Sequence, residues 1–286
     1  GKGSQMDDKK LTIAIAGMGL IGGSLALALK GRTCHTVIGI DRDSEVLKNV
    51  LSSGAADKTG IEHLNEADLL IIALPPIATI EFLKNHAHLL RPGTVVTDVC
   101  GVKREIVNSL EPLCRDYGLV FVGGHPMAGK EKSGFANADP DLFLDAYYIL
   151  TPSSGVNPEA VNLIKNLALS IGCKDVTITT PENHDRMIAF TSQLPHVLAG
   201  AYVKSPCCPG HKGFSAGSYR DVSRVASVDE RLWAELFLMN FDNICREIDT
   251  LISNLKECRD AIASKDRDKL EEVLRAGRLR KESVSE

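Results

Sequence analysis

The chain has 286 residues, of which 44% are hydrophobic and 24% are charged, and its formal net charge is -4. This composition is typical of a globular protein, and a weakly negative chain offers no basic surface for nucleic acid. The longest apolar runs, such as 69–74, have the length of a strand and are too short to span a bilayer. We therefore expect neither a nucleic acid nor a membrane as a partner.

Short β-branched apolar runs alternate with helical segments through the first 180 residues. Strands are predicted at 11–16, 36–40, 67–74, 95–99, 120–123, 147–151 and 175–179. Helices are predicted between them at 22–30, 44–52, 77–89, 104–117 and 158–171. This alternation indicates a parallel sheet that is covered by helices on both faces.

The pattern changes after Thr180–Pro181, where helical periodicity replaces the strand patterns. Helices are predicted at 184–204, 231–264 and 265–285. We therefore predict two domains. The first, at 6–180, is an α/β Rossmann-type dinucleotide-binding domain, and the second, at 181–286, is an all-α domain.

The run GMGLIG at 17–22 follows the first predicted strand and opens a helix, as a dinucleotide fingerprint requires. Its glycines permit a tight turn, close approach of the backbone to a pyrophosphate, and packing of helix on strand. The amides at the start of the helix would hold the phosphates. The predicted cofactor contacts in this loop are Gly17, Gly19, Leu20, Ile21 and Gly22.

Asp41 stands nineteen residues after Gly22, at the end of the second predicted strand. A carboxylate at this position accepts hydrogen bonds from ribose hydroxyls and repels a 2′-phosphate, so NAD is the predicted cofactor. The neighbouring Arg42 is included in the cofactor site, and because it could pair with a 2′-phosphate, it leaves NADP open.

His125 lies in the run GHPMAG at 124–129, directly after the fifth predicted strand. The carboxyl edge of an open α/β sheet is where ligands bind. A neutral imidazole there could accept the proton of a substrate hydroxyl while hydride leaves the same carbon for NAD. His125 is therefore the candidate base, and the alternative is a histidine that caps a loop.

Polar side chains recur in the predicted helical domain. His184, Ser192 and His196 are spaced to lie near one face of a helix, where they could line a pocket or form a polar seam between helices. Asp221 and Arg224, three residues apart, could form an ion pair that holds the guanidinium for a substrate carboxylate. The alternative is a surface ion pair of little consequence.

Eight cysteines occur without a CxxC pair, and the start of the chain has no secretory signal pattern. Reduced thiols in a cytoplasmic protein are the expectation. Cys207 and Cys208 form the one cluster, with His211 nearby, but a second ligand pair at suitable spacing is missing. We predict no metal site.

Five motifs in this order resemble the prephenate/arogenate dehydrogenase family of tyrosine biosynthesis. They are GMGLIGGS at 17–24, DVCGVK at 98–103, GHPMAGKEKSG at 124–134, HDRMIAFTSQLPH at 184–196 and YRDVSRVASVDERLW at 219–233. The resemblance spans almost the whole chain and implies that the helical domain builds a homodimer. It implies NAD-dependent oxidative decarboxylation of prephenate to 4-hydroxyphenylpyruvate, or of arogenate directly to tyrosine.

The resemblance also implies roles for single residues. His125 matches the catalytic histidine that hydrogen-bonds the ring hydroxyl, and Arg224 matches the arginine that binds a substrate carboxylate. The other implied substrate-binding residues match an acidic network around that arginine, the polar lining of the pocket and an aromatic of its wall, and they are Glu131, Asp221, Ser192, His196 and Trp233.

The chain departs from the family pattern at Gly101, where members often carry a serine that assists the catalytic histidine. Either Cys100 or a water replaces that hydroxyl, or the contact is absent. The departure is the one feature that favours a non-catalytic NAD-binding protein on the same scaffold.

Two further alternatives concern the substrate. A β-hydroxyacid dehydrogenase usually relies on a lysine of its helical domain, and Lys204 lies only at the far end of the predicted helix. Prephenate and arogenate differ by a keto group or an ammonium, and His196 suits a carboxylate or carbonyl better than an ammonium. Prephenate is therefore the favoured substrate.

Overall fold

The computed structural model describes residues 9–285, so the predicted domain start at residue 6 lies outside the described residues. Within them one sheet contains the strands β1 (Thr12–Ala16), β2 (Thr36–Ile40), β3 (Lys58–Thr59), β4 (Leu69–Ile72), β5 (Val95–Asp98), β6 (Val120–Pro126), β7 (Tyr147–Thr151) and β8 (Asp175–Ile178). Their order is β3-β2-β1-β4-β5-β6-β7-β8. The first six strands are all parallel. β2 and β3 lie on one side of β1, whereas β4, β5 and β6 lie on its other side, as in dinucleotide-binding folds.

Helices cover both faces of this sheet, as predicted. They are α1 (Leu20–Arg32), α2 (Ser44–Ser52), α3 (Pro76–His86), α4 (Arg104–Asp116) and α5 (Pro158–Ser170). Alternate residues of β1 enter two separate cores: Ile13 and Ile15 pack with residues of α1 and α5, whereas Ala14 and Ala16 pack with residues of α3 and α4. Burial on both faces explains why the strands are continuous apolar runs.

The expectation of a parallel sheet is wrong for the last two strands. β7 runs antiparallel to β6, with His125 opposite Ile149, and β8 is parallel to β7. A parallel connection needs a crossover, usually a helix, but the segment 127–146 contains only the short 3₁₀ turn Phe135–Asn137. The chain therefore turns back beside β6, and this long loop lies at the edge that carries His125.

The residues after 180 are helical, which confirms the predicted fold class. These helices are α6 (Pro181–Ile188), α7 (Leu194–Tyr202), α8 (Gly217–Ser223), α9 (Glu230–Leu238), α10 (Phe241–Ala263) and α11 (Arg267–Ser283). No helix within residues 9–285 is long and apolar enough to cross a membrane. The exact domain boundary at residue 180 stays a prediction, although it falls between β8 and α6.

Two predicted long helices are interrupted. The π turn Ala189–Gln193 separates α6 from α7. Pro195, the second residue of α7, has no N–H for a regular helical hydrogen bond. A second break separates α9 from α10, where Asn240 has φ -130°. The buried amide of Asn240 donates to the Asp185 carbonyl and to Gln193 Oε1, each at 2.9 Å. These side-chain bonds connect the break between α9 and α10 to α6 and the π turn.

Candidate active site

The predicted site residues of the first domain meet at one edge of the sheet. The glycine loop follows β1, Asp41 follows β2, and Gly101 follows β5. His125 lies within β6, which extends to Pro126 and so is longer than predicted. Because β1 to β6 are parallel, these carboxyl ends share an edge, and this edge is the candidate active site.

The glycine loop leaves room only for backbone on its inner side. Gly17 has φ +94°, and a Cβ there would lie 2.4 Å from the Ala73 carbonyl oxygen. A Cβ on Gly22 would lie 1.7 Å from the Gly17 oxygen, whereas one on Gly19 would meet nothing within 4 Å. α1 begins at Leu20, so its first amides lack partners within the helix. The loop therefore fits a dinucleotide pyrophosphate at this helix start.

Two backbone amides orient the Asp41 carboxylate. Its Oδ2 accepts a hydrogen bond from the N–H of Met18 at 2.9 Å, and its Oδ1 accepts one from the N–H of Asp43 at 2.9 Å. The remaining lone pairs can accept hydrogen bonds from ribose hydroxyls. Arg42 is exposed beside it. This arrangement suits a ribose without a 2′-phosphate.

His125 contacts a second histidine from the helical domain. Its Nδ1 lies 2.8 Å from His184 Nε2, and His184 Nδ1 lies 2.7 Å from Asp185 Oδ1. Burial holds the pKa of His125 well below its usual value of 6.5, and the neighbouring imidazole of His184 and the charge of Lys103 lower it further. The imidazole is therefore neutral at physiological pH and able to accept a proton.

A buried ion pair lies beneath this histidine pair. Lys103 Nζ and Asp98 Oδ2 are 2.5 Å apart, and both side chains are fully buried. Asp98 also accepts hydrogen bonds from the N–H groups of Cys100 at 3.0 Å and Gly124 at 3.1 Å. The pair thus connects the loop after β5 to the strand that carries His125.

Asp185 joins the two domains. α4 has no side-chain cap of its own at Lys103. Instead the Asp185 carboxylate accepts hydrogen bonds from the N–H groups of Lys103 at 2.8 Å and Arg104 at 3.0 Å. Sequence reasoning missed Asp98, Lys103 and Asp185, although all three lie in quoted motifs, two of them as the first and last residues of DVCGVK.

The thiol of Cys100 does not take the place of the family's serine hydroxyl. Its Sγ lies 3.5 Å from Thr79 Oγ1 and 3.6 Å from the Leu74 carbonyl oxygen. Burial and the Asp98 charge raise the pKa of this thiol. A Cβ on Gly101, by contrast, would lie 3.9 Å from His125 Cε1. The position next to the imidazole therefore carries no side chain in this protein.

Arg224 is held by Glu131 and not by Asp221, so the predicted i, i+3 ion pair is wrong. Arg224 Nη1 lies 2.7 Å from Oε1 of Glu131, which belongs to the loop that follows His125. Within residues 9–285 no ion pair joins Asp221 to Arg224, and the guanidinium is turned to Glu131 instead. Both partners of the observed pair are exposed, and a ligand carboxylate can reach the guanidinium.

The remaining predicted residues form a separate group on the helical domain. The rings of His196 and Trp233 stack with centroids 3.8 Å apart, and His196 Nδ1 lies 2.7 Å from the Ser192 carbonyl oxygen. His184 does not belong to this group, because its ring nitrogens face His125 and Asp185. α7, which carries His196, packs on the turn that starts at Arg224, so the stack and the guanidinium belong to neighbouring elements.

No cluster of three or more metal-ligating side chains occurs within residues 9–285. A glycine loop at a helix start, an oriented carboxylate after β2 and a neutral histidine at the same sheet edge define the class of protein. It is a dinucleotide-dependent dehydrogenase.

Comparison with known proteins identifies the family within this class. Residues 25–177 match the family model of the prephenate dehydrogenase nucleotide-binding domain, and residues 180–276 match that of the prephenate dehydrogenase dimerization domain. The chain belongs to the prephenate dehydrogenase family.

Individual relatives agree with this assignment. The prephenate dehydrogenase of Bacillus subtilis is 35% identical over 275 residues, which are 93% of this chain and 74% of that protein. A crystal structure of A. aeolicus prephenate dehydrogenase with hydroxyphenyl propionate and NAD+ is 27% identical, has a TM-score of 0.86, and is matched over 97% of this chain and 99% of its own. The Synechocystis arogenate dehydrogenase is 25% identical with a TM-score of 0.80, over 96% and 100% of the two chains.

A serine at position 101 should assist the candidate base. We expect the Gly101→Ser variant to fold normally, because the atom nearest to the added Cβ would be Leu236 Cδ2 at 3.4 Å, which is an ordinary van der Waals contact. One added hydrogen bond should raise kcat/KM by about three- to tenfold. Steady-state NADH formation measures this, and Gly101→Ala, which adds the Cβ without the hydroxyl, is the control. Equal rates for the serine and alanine variants would contradict the prediction.

Proposed function

We propose that the protein catalyses NAD-dependent oxidative decarboxylation of prephenate to 4-hydroxyphenylpyruvate, a reaction of tyrosine biosynthesis. The observation that carries the proposal is the neutral His125, backed by His184 at 2.8 Å, on the sheet edge that holds the glycine loop. Relatives named prephenate dehydrogenase, matched over most of the chain, support the choice of substrate.

NAD would be held by the glycine loop and by Asp41, as the fit of these residues to a pyrophosphate and a ribose supports. Bound NAD would supply the hydride acceptor for the ring carbon that bears the hydroxyl, and loss of carbon dioxide from the oxidised ring would make it aromatic. The protein orients the two reactants and handles the hydroxyl proton.

His125 is the proposed base. Its Nε2 has no hydrogen-bond partner within residues 9–285, so this nitrogen is available to a substrate hydroxyl. As the hydride leaves the carbon, the O–H bond breaks and the proton moves to Nε2. After decarboxylation the oxygen is a phenolate, and His125 can return the same proton to it.

Arg224 is the proposed carboxylate ligand. Its guanidinium presents two parallel N–H donors that match a carboxylate, and its present partner is the carboxylate of Glu131 at 2.7 Å. A substrate carboxylate could share or replace this partner. Asp221 and His196 are proposed to line the same pocket, because α8 and α7 both pack on the Arg224 turn. Trp233 and Ser192 are added through His196, which stacks on Trp233 and lies 2.7 Å from the Ser192 carbonyl oxygen.

The helical domain is proposed to form a homodimer. It matches a dimerization domain, and α10 and α11 expose large apolar side chains that a second copy would cover, namely Ile252, Leu255, Ile262 and Leu274. All eight cysteines are free thiols, which is consistent with the expected cytoplasmic location.

Arogenate is the second candidate substrate, since an arogenate dehydrogenase shares the fold along the whole chain. The test measures NADH formation at ~340 nm, where reduced nicotinamide absorbs, with prephenate and arogenate in parallel and NAD or NADP as acceptor. We expect the highest kcat/KM for prephenate with NAD. Binding of NAD without turnover of either substrate would refute the proposed function and favour the non-catalytic alternative.

Replacement of the base should reduce turnover. We expect His125→Asn to lower kcat by about 10²–10⁴-fold with little change in KM. The depressed pKa of His125 keeps it neutral as the pH falls, so kcat/KM of the natural chain should decline only well below pH 6.5. His88→Asn, an exposed histidine on the same domain, is the control. Wild-type turnover in His125→Asn would show that another group is the base.

Loss of the guanidinium should weaken substrate binding. We expect Arg224→Ala to raise KM for prephenate by about ten- to hundredfold, since one charged hydrogen bond contributes about 1.5–3 kcal/mol. Arg186→Ala is the control, because this exposed arginine donates a hydrogen bond to Asn183 Oδ1 on its own helix. An unchanged KM in Arg224→Ala would exclude Arg224 as the carboxylate ligand.

Removal of the Asp41 carboxylate should change cofactor choice. Asp41→Ser removes the charge that repels a 2′-phosphate and leaves Arg42 to pair with it. We expect the ratio of kcat/KM for NAD over NADP to fall by about tenfold or more. Steady-state assays with both cofactors measure the ratio, and Asp43→Ser, at the N-cap of α2, is the control. A ratio equal to that of the natural chain would contradict this role.

A further inference from the structure

Three side chains form a buried row that ends at the proposed base. Asp185 Oδ1 lies 2.7 Å from His184 Nδ1, and His184 Nε2 lies 2.8 Å from His125 Nδ1. Asp185 is 0% exposed and His184 is 2% exposed. Asp185 and His184 come from α6, whereas His125 comes from β6. The row therefore crosses from the helical domain to the sheet.

The hydrogen-bond donors around Asp185 require its carboxylate to be ionised. It accepts from the backbone N–H groups of Lys103 and Arg104, and Arg104 Nε lies 3.3 Å from its Oδ2. Burial opposes ionisation, but the hydrogen bonds from His184 and from these backbone groups hold the pKa of Asp185 below its usual value. An ionised carboxylate only accepts, so His184 Nδ1 must carry the proton that it shares with Asp185.

The position of the proton on His184 determines which nitrogen donates in the hydrogen bond between His184 and His125. Burial lowers the pKa of His184, so the ring is neutral and has a single N–H, which is on Nδ1. His184 Nε2 is then an acceptor, and His125 Nδ1 must be the donor of the 2.8 Å bond. Neutral His125 is left with a lone pair on Nε2, the nitrogen without a partner in the described chain.

We propose that His184 and Asp185 are positioning residues that hold His125 in the tautomer able to accept a proton at Nε2, and that they share the positive charge once the proton arrives. This rests on the proposed function, which makes His125 the base. The substrate O–H bond breaks and an Nε2–H bond forms. The Nδ1 proton can then shift towards His184 Nε2, which brings the charge next to the Asp185 carboxylate.

The charges that surround the row favour this sharing. Lys103 opposes a positive charge on His125, but Asp98 neutralises it at 2.5 Å. Arg104 is shared between Asp185 and the carboxylate of Asp242. Two carboxylates against one guanidinium leave one formal negative charge beside His184, which matches the single positive charge that proton transfer creates.

The tautomers can be measured directly in the full-length protein. The ¹⁵N NMR signals of histidine-labelled protein distinguish a protonated ring nitrogen from an unprotonated one, and variants at positions 125 and 184 assign the signals. We expect the proton on Nδ1 in both histidines near neutral pH. A proton on Nε2 of either ring would overturn the proposal. This result does not depend on substrate, so a failure of the proposed function with prephenate is recognised separately.

Kinetics of His184 variants test the consequence. We expect His184→Leu to lower kcat by about 10²–10³-fold with KM for prephenate and Kd for NAD within about threefold of the natural values. His184→Gln should retain about tenfold more activity than the leucine variant, because its amide oxygen can still accept from His125 Nδ1. His88→Leu, an exposed histidine, is the control.

If His184 had only a structural role, its replacement would lower stability. It would not lower kcat while leaving KM unchanged, and glutamine would not restore activity. Wild-type kcat in a folded His184→Leu variant, or equal kcat in the leucine and glutamine variants, would overturn the proposal. If the leucine variant fails to fold, the NMR spectrum of the natural chain still decides between the two tautomers.

Discussion

The Asp185 carboxylate is the constraint on which the geometry of the site depends. It belongs to the helical domain and is fully buried. Its oxygens nevertheless accept hydrogen bonds from the N–H groups at the start of α4, in the sheet domain, and one of them also contacts the ring of His184. A buried carboxylate is costly unless it is paired and hydrogen-bonded. The relative position of the two domains is therefore tied to the orientation of the histidine pair, and a shift between them would disturb both.

The second buried charge pair has a complementary task within the sheet domain. Lys103 and Asp98 bind the loop after β5 to β6, so the backbone beneath His125 is held by an ion pair that water cannot reach. Breaking such a pair costs far more than breaking an exposed one. By contrast, the Arg224–Glu131 pair is exposed on both sides, which suits the proposed role of Arg224 as a carboxylate ligand.

Much of this was predictable from local patterns. The glycine run, the spacing to Asp41 and the placement of His125 near the end of a strand followed from rules that connect short sequence motifs to the edge of a parallel sheet. The antiparallel direction of β7 and the breaks at Ala189–Gln193 and Asn240 did not follow. The direction of β7 depends on a missing crossover helix, and the two breaks are linked by Asn240 hydrogen bonds between residues far apart in the chain. Pro195 is a local signal for the first break that the sequence reasoning did not use.

The sequence by itself determined the type of most elements, the dinucleotide loop and the candidate base, because these depend on residues close together in the chain. It did not predict the short strand β3 or the helix α8. Only the tertiary structure decided which partner each charged group has. Arg224 pairs with Glu131, 93 positions away, and His125 contacts His184, 59 positions away. Sequence spacing predicts contacts within one helix or strand, but it does not give the distance between residues of separate elements. These pairings form only when the helical domain packs on the edge of the sheet.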